Sequence, residues 1–116
     1  MGMPKKVLII VSSGEENKEK AMIGMRLAIG LKKNKISEEV GMLFFGPSER
    51  LVAGDDSDIN NLLKEAADNG INPFACSGIA NRDDISVKLA SKNISLEGAS
   101  KTIGRYLESG FVPIPF

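Results

Sequence analysis

A chain with no histidine and a single cysteine has few ways to make or break a covalent bond. The cysteine is Cys76, inside "NPFACSGIANRDDIS", residues 72–86. Thiolate is the reactive form of cysteine, and a free thiol titrates near pKa ~8.5. The lack of histidine excludes a Cys-His or Ser-His pair, and with it the usual route to hydrolysis. It also removes the commonest zinc ligand, and one cysteine cannot build a thiolate cage, so no metal centre is expected. Asp55, Asp56 and Asp58 form an acidic cluster, but helix capping explains them more simply than a cation does.

The residues after Cys76 suit sulfur chemistry. Backbone N–H groups of Ser77, Gly78 and Ile79, at a helix start, would stabilise a negative sulfur. Gly78 permits close approach of the backbone. Arg82, about one helical turn further, supplies a positive charge. Together these favour a thiolate or persulfide without histidine. An opposite reading is equally physical. Free cysteine is among the most buried residue types, and Cys76 follows the apolar pair Phe74-Ala75. On that reading it is a small packed hydrophobe, and the residues alone leave both readings open.

Five apolar runs and the helical stretches between them must position this segment. "KKVLIIVSS" is nearly continuous and β-branched, as a strand buried on both faces should be. "GEENKEKAMIGMRLAIGLKKN" predicts a helix with acids early and lysines late, matching its dipole. Its apolar face is wide: Ile23, Leu27 and Leu31 form one row, and Met22, Met25 and Ile29 another. One row is expected against the sheet and the other against a second subunit. "EEVGMLFFG" predicts strand two, and "PSERLVAG" a turn or short helical piece. "DDSDINNLLKEAADNG" predicts a helix capped by Asp56 or Ser57, striped by Ile59, Leu62, Leu63 and Ala66, and stopped at Gly70. "INPFAC" is strand three, and "SGIANRDDI" opens a short helix or turn. The stretch from Val87 to Leu96 is ambiguous, with a short strand in "KNISL". "GASKTIGRYLESG" predicts the last helix, with Ile103 and Leu107 on one side. In "FVPIPF", Pro113 and Pro115 remove two donors from one edge, so the segment belongs at a sheet edge or in an extended tail.

This order predicts one domain over residues 1–116. It is an α/β three-layer α/β/α fold with a mainly parallel five-stranded sheet and right-handed crossovers. Sites in such folds gather beyond the carboxyl ends of the strands. Three segments fall there: Ser12-Ser13-Gly14, Gly46-Pro47-Ser48 and Cys76-Ser77-Gly78. The first can cradle a phosphate in principle, but "VSSGEEN" is neither a GxxxxGK[ST] nor a GxGxxG motif, so no cofactor is expected.

Lys+Arg and Asp+Glu balance at 15 each, which gives no electrostatic case for nucleic-acid binding. No apolar run reaches the roughly 18 to 20 residues that span a bilayer. The basic pair and short apolar run near the start lead into Glu15-Glu16, so they read as a first strand rather than a signal peptide. One cysteine makes no internal disulfide, and a reducing cytoplasm is the expected compartment.

The order and spacing of three segments resemble the DsrE/DsrF-like family of small α/β sulfur-relay proteins. They are the first strand running into "SSGEENKEKAMIGMRLAIG", the third strand ending in "FACSGIANRDDI", and the close "ASKTIGRYLESGFVPIPF". The resemblance extends over nearly the whole chain and implies a cytoplasmic homo-oligomer, a trimer or hexamer. It also implies sulfur carried as a persulfide on Cys76 and exchanged with a partner such as a TusA-like carrier. With no second cysteine, that exchange must be intermolecular. The alternative is a non-catalytic binding or scaffold protein whose cysteine is structural; a flavin or nucleotide binder using Ser12, Ser13 and Gly14 is a third option.

Overall fold

The structure, a computed structural model, describes residues 5–116. The apolar runs form β1 (Lys6–Val11), β2 (Glu39–Phe44), β3 (Phe74–Cys76), β4 (Ser95–Glu97) and β5 (Val112–Pro115). They make a five-stranded sheet in the order β4-β3-β2-β1-β5, with every pairing parallel. Between them lie α1 (Lys18–Lys33), α2 (Ser48–Ala53), α3 (Ser57–Asp68), α4 (Ser77–Arg82), α5 (Ser86–Ser91) and α6 (Ala99–Glu108). The segment left ambiguous in the sequence therefore folds as α5 and β4.

The alternation of side chains along each strand divides the sheet into two faces. Val7, Ile9 and Val11 of β1, Met42 and Phe44 of β2, and Ala75 of β3 share one core with residues of α1 to α5. The intervening positions, Leu8, Gly41, Leu43, Phe74 and Cys76, point to the other face. That face carries α6, whose Tyr106 ring lies against Gly41. The result is an α/β/α sandwich with most of its helices on one side.

Helix boundaries follow local chemistry. Asn17 caps α1 by accepting from Lys20 N–H at 3.1 Å, and Asp56 caps α3 by accepting from Ile59 N–H at 3.1 Å. Gly70 and Gly110 adopt φ of +78° and +87°, ending α3 and α6 in the left-handed region that glycine enters freely. On α1, Met25 and Ile29 are buried, whereas Ile23 and Leu27 are 47% and 36% exposed. On α6 the expected pair Ile103 and Leu107 is only half right. Leu107 is 50% exposed, and Tyr106 takes the sheet-facing place instead. Its ring meets Phe111 edge-on at 4.7 Å and Phe74 at 6.4 Å between centroids.

β5 is an edge strand, as its prolines require. Its register with β1 pairs Leu8 with Pro113 and Ile10 with Pro115. Phe116 N–H donates to Ile10 at 2.8 Å, so the alternate residues face β1 and the prolines leave the outer edge without their donors.

A Cβ at Gly41 would fall 2.7 Å from the Tyr106 ring, which α6 and Phe111 hold in place. Gly41→Ala is expected to destabilise the fold by about 1–3 kcal/mol, as overpacking does. Urea denaturation should show a lower midpoint at unchanged slope.

Candidate functional site

The carboxyl ends of β1, β2 and β3 bring the three candidate segments together, and backbone hydrogen bonds tie two of them. Ser48 N–H donates to Ser12 O at 3.0 Å, and the Ser48 hydroxyl donates to Val11 O. A Cβ on Gly14 would lie 2.3 Å from Pro47 O, so only glycine allows the first two loops to pack this closely. The N–H groups that would cradle a phosphate are already engaged. Ser12 and Ser13 donate to Phe116 O at 2.8 and 3.2 Å, and Gly14 donates to Glu16 Oε1 at 2.8 Å. This leaves these three backbone N–H groups unavailable to an anion.

Cys76 ends β3 and is the N-cap residue of α4, with a free thiol that makes no capping hydrogen bond. It is 8% exposed, at the border between core and surface. Ser77 and Gly78 follow as the first turn of α4, and a Cβ on Gly78 would sit 3.9 Å from Cys76 Sγ, an ordinary contact. Gly78 is thus beside the sulfur, although that contact would also admit a small side chain. Arg82 closes α4 with its guanidinium on Asp83, at 3.0 Å, and Asp83 also binds Arg50 of α2 at 2.9 Å. These partners hold the Asp83 carboxyl below its ordinary range, the Arg82 hydrogen bond contributing most. On the sheet face of Cys76 its register partner is Glu97. Thr102 Oγ1 and Arg105 donate to Glu97 at 2.6 and 2.7 Å and hold its carboxyl below the ordinary range.

The acidic cluster belongs to folding. Lys18 Nζ bridges Asp56 at 2.7 Å and Asp58 at 3.0 Å, while Asp56 caps α3. Among the described residues no group of three His, Cys, Asp or Glu side chains could hold a metal. No helix among them is long and apolar enough to cross a membrane.

One residue of the site was not singled out from the sequence. Glu49, in the first turn of α2, is fully buried. Its Oε2 accepts from Gly46 N–H at 3.3 Å, and its own N–H donates to Gly46 O at 3.0 Å. Its Oε1 has no partner. Burial is the main cause that raises its carboxyl from the ordinary 4.5 to about 7. The N–H groups of Gly46 and Cys76 and the charge of Arg82 pull it down, and Asp83 pushes it up. The Cys76 N–H is in reach because the β2–β3 ladder ends at Phe44 and Ala75, one residue earlier. In "PSERLVAG" a first-turn glutamate reads as an exposed partner of the helix dipole, and nothing local announces its burial.

These features define a parallel α/β protein whose only thiol stands at the strand ends beside a buried acid. Three solved structures share the fold. A conserved protein of unknown function, BT1422 from Bacteroides thetaiotaomicron, superposes with a TM-score of 0.80 at 18% identity, covering 96% of this chain and 95% of that one. The ychN protein from E. coli has a TM-score of 0.78 at 13% identity, covering 97% and 99%. MTH1491 from Methanobacterium thermoautotrophicum, another protein of unknown function, has 0.72 at 14%, covering 98% and 100%. No protein-family model matches the chain, and no curated protein does. At these identities the likeness establishes the fold.

The raised Glu49 titration has a stability consequence. Between about 4.5 and 7 the folded chain holds a proton that the unfolded chain has lost. Stability from this group is therefore present below 4.5 and falls as pH rises through 7. Glu49→Gln removes the effect. Relative to wild type, the variant should gain about 2–3 kcal/mol between about pH 5 and pH 8, measured by urea denaturation across that range.

Proposed function

We propose that the protein carries sulfur as a persulfide on Cys76 and exchanges it with thiols of other proteins, as a member of the DsrE/DsrF-like group. The observation that carries this reading is the position of Cys76. The only thiol of the chain stands at the carboxyl end of a parallel strand, where sites of such folds collect. The chemistry needs no histidine, no metal and no second cysteine here. Cys76 as thiolate attacks the outer sulfur of a donor persulfide, and the donor's S–S bond breaks. The donor leaves as a thiolate and takes up a proton, so no net oxidation occurs. A second thiol, on an acceptor protein such as a TusA-like carrier, then removes the sulfur by the same step.

A reducing cytoplasm suits such a carrier, because its single thiol stays reduced there between transfers. The reading includes a homo-oligomer, trimer or hexamer. The exposed row of Ile23 and Leu27 on α1 supports self-association, since two large apolar side chains one turn apart gain by leaving water.

A second reading keeps the fold as a non-catalytic scaffold with a packed cysteine, and the 8% exposure of Cys76 favours it. Mass spectrometry separates the two. After incubation with a persulfide donor, the wild-type chain should gain the mass of one sulfur atom at Cys76, and Cys76→Ser should gain none. An unmodified Cys76 that still accepts iodoacetamide would refute sulfur carriage. In light scattering, the solution mass should be a multiple of the 12.4 kDa chain, and Ile23→Glu should lower it.

A further inference from the structure

The end of the sheet opposite Cys76 carries a groove that sulfur exchange does not use. It lies at the amino ends of β3 and β4, between α3 and the turn that joins α5 to β4. It encloses about 400 Å³, within the range of small-molecule sites. Two turns shape it. The left-handed turn at Gly70 ends α3 and sends the chain through Ile71, Asn72 and Pro73 into β3. Asn93, with φ of +61°, turns the chain from α5 into β4. Ser95 N–H donates to Pro73 O at 3.0 Å and holds the two approaches side by side.

The lining sorts into an apolar floor and a rim of donors. Leu63, Ala67, Ile71 and Pro73 make the floor. Lys64 and Lys92 bring positive charge to the rim, and asparagines bring amides. No carboxylate lines the groove. Grooves of similar size elsewhere differ in this respect. Glu39 lines both of those beside α6, and Glu15, Asp55 and Asp56 line the one beside the start of α1. Lys92 fixes the polarity of the rim. Its Nζ donates to Val52 O and Asn60 Oδ1, each at 2.8 Å, and to Gly54 O. These three oxygens take its hydrogens, but none carries a charge to match it. Burial lowers its pKa from the ordinary 10.5, while Asp55 and Lys88 act on it in opposite directions. An ammonium only donates, so Asn60 turns its oxygen to Lys92 and its NH₂ away. Lys64, exposed, follows Asn60 by one turn of α3. Among the described residues neither lysine pairs with a carboxylate. Holding the carboxyl end of α2 accounts for Lys92, but not for a second lysine above an apolar floor.

We propose that this groove binds a small organic carboxylate, with its hydrocarbon body on the Leu63, Ile71 and Pro73 floor and its charge between Lys64 and the Asn60 amide. Lys64 and Asn60 supply hydrogen bonds to the two carboxylate oxygens. Lys92 acts on the anion by charge alone, because its hydrogens are already taken. The charge of the rim selects the occupant. A cation with the same body meets two lysines and no acid, and a bare anion leaves the floor uncovered. The site stands at the other end of the sheet from Cys76 and is independent of sulfur carriage.

The test titrates the full, isotope-labelled chain with sodium hexanoate at neutral pH and low salt, following amide shifts by NMR. Hexylamine, with a similar body and the opposite charge, and acetate, with the charge and almost no body, are the controls. Hexanoate should shift the Ala67, Ile71 and Asn93 amides saturably, with a dissociation constant on the order of 1 mM. Hexylamine and acetate should bind far more weakly. Lys64→Glu changes an exposed position and spares the Lys92 contacts. It should weaken hexanoate about fivefold or more, with the fold unchanged by circular dichroism. No saturation by about 20 mM hexanoate would overturn the proposal, as would shifts centred outside the groove. Hexylamine or acetate binding as well as hexanoate would also overturn it, and so would a Lys64→Glu chain that binds hexanoate as wild type does.

Discussion

The carboxyl end of β1 is the knot on which the rest of the molecule hangs. Val11 O accepts both the Phe45 N–H, at 3.0 Å, and the Ser48 hydroxyl. Ser12 O accepts the Ser48 N–H, while the Ser12 and Ser13 N–H groups hold the main chain of Phe116. Two separate parts of the sequence, residues 45–48 and Phe116, are thereby fixed to one strand end. α2 starts where it does because Ser48 is bound there, and Glu49 follows Ser48 into the interior. Ser48 is itself fully buried, so its hydroxyl must be satisfied inside the protein, and the Val11 carbonyl does this.

The buried acid is the electrostatic counterpart of that knot. A parallel sheet whose strands stop at unequal heights leaves backbone donors without ladder partners. Here β3 runs one residue beyond its last pair with β2. The Glu49 carboxyl accepts from the Gly46 N–H and feels the Cys76 N–H near this strand end, with the charges of Asp83 and Arg82 acting from the end of α4. Charged side chains elsewhere on this end are paired with each other, as Arg82 and Arg50 are with Asp83. Glu49 is different because no countercharge contacts it.

Much of the fold was legible in the sequence because the signals are local. The run "VLIIV" has no polar gap, so it had to be a strand covered on both sides. Asp56, Gly70 and Gly110 mark helix ends through their own backbone chemistry. Pro113 and Pro115 announce an edge. The segment 87–96 was illegible because α5 and β4 are short, and Val87 at 83% exposure breaks the apolar pattern. Leu107 misled because its spacing from Ile103 fits a stripe, while Tyr106 owes its place to the absence of a side chain on Gly41 far away in sequence. The site divided in the same way. Cys76, Ser77 and Gly78 are consecutive, and one strand-to-helix junction keeps them together. Glu49 is distant in the chain, and its burial depends on three strand ends meeting. Arg82 stands near Cys76 along the chain, but Asp83 is a closer partner for its charge.

The prolines of β5 bear on more than the fold of one chain. A sheet grows between molecules when an exposed edge offers N–H and C=O groups in sequence to a neighbouring strand. β5 presents carbonyls outward with Pro113 and Pro115 where two donors should be. At the opposite border, β4 offers only three residues. Neither border is a good template for another copy. Any contact between copies of this chain would thereby be turned from the open rims of the sheet to the helical layers, where association can close on itself instead of extending into a fibre.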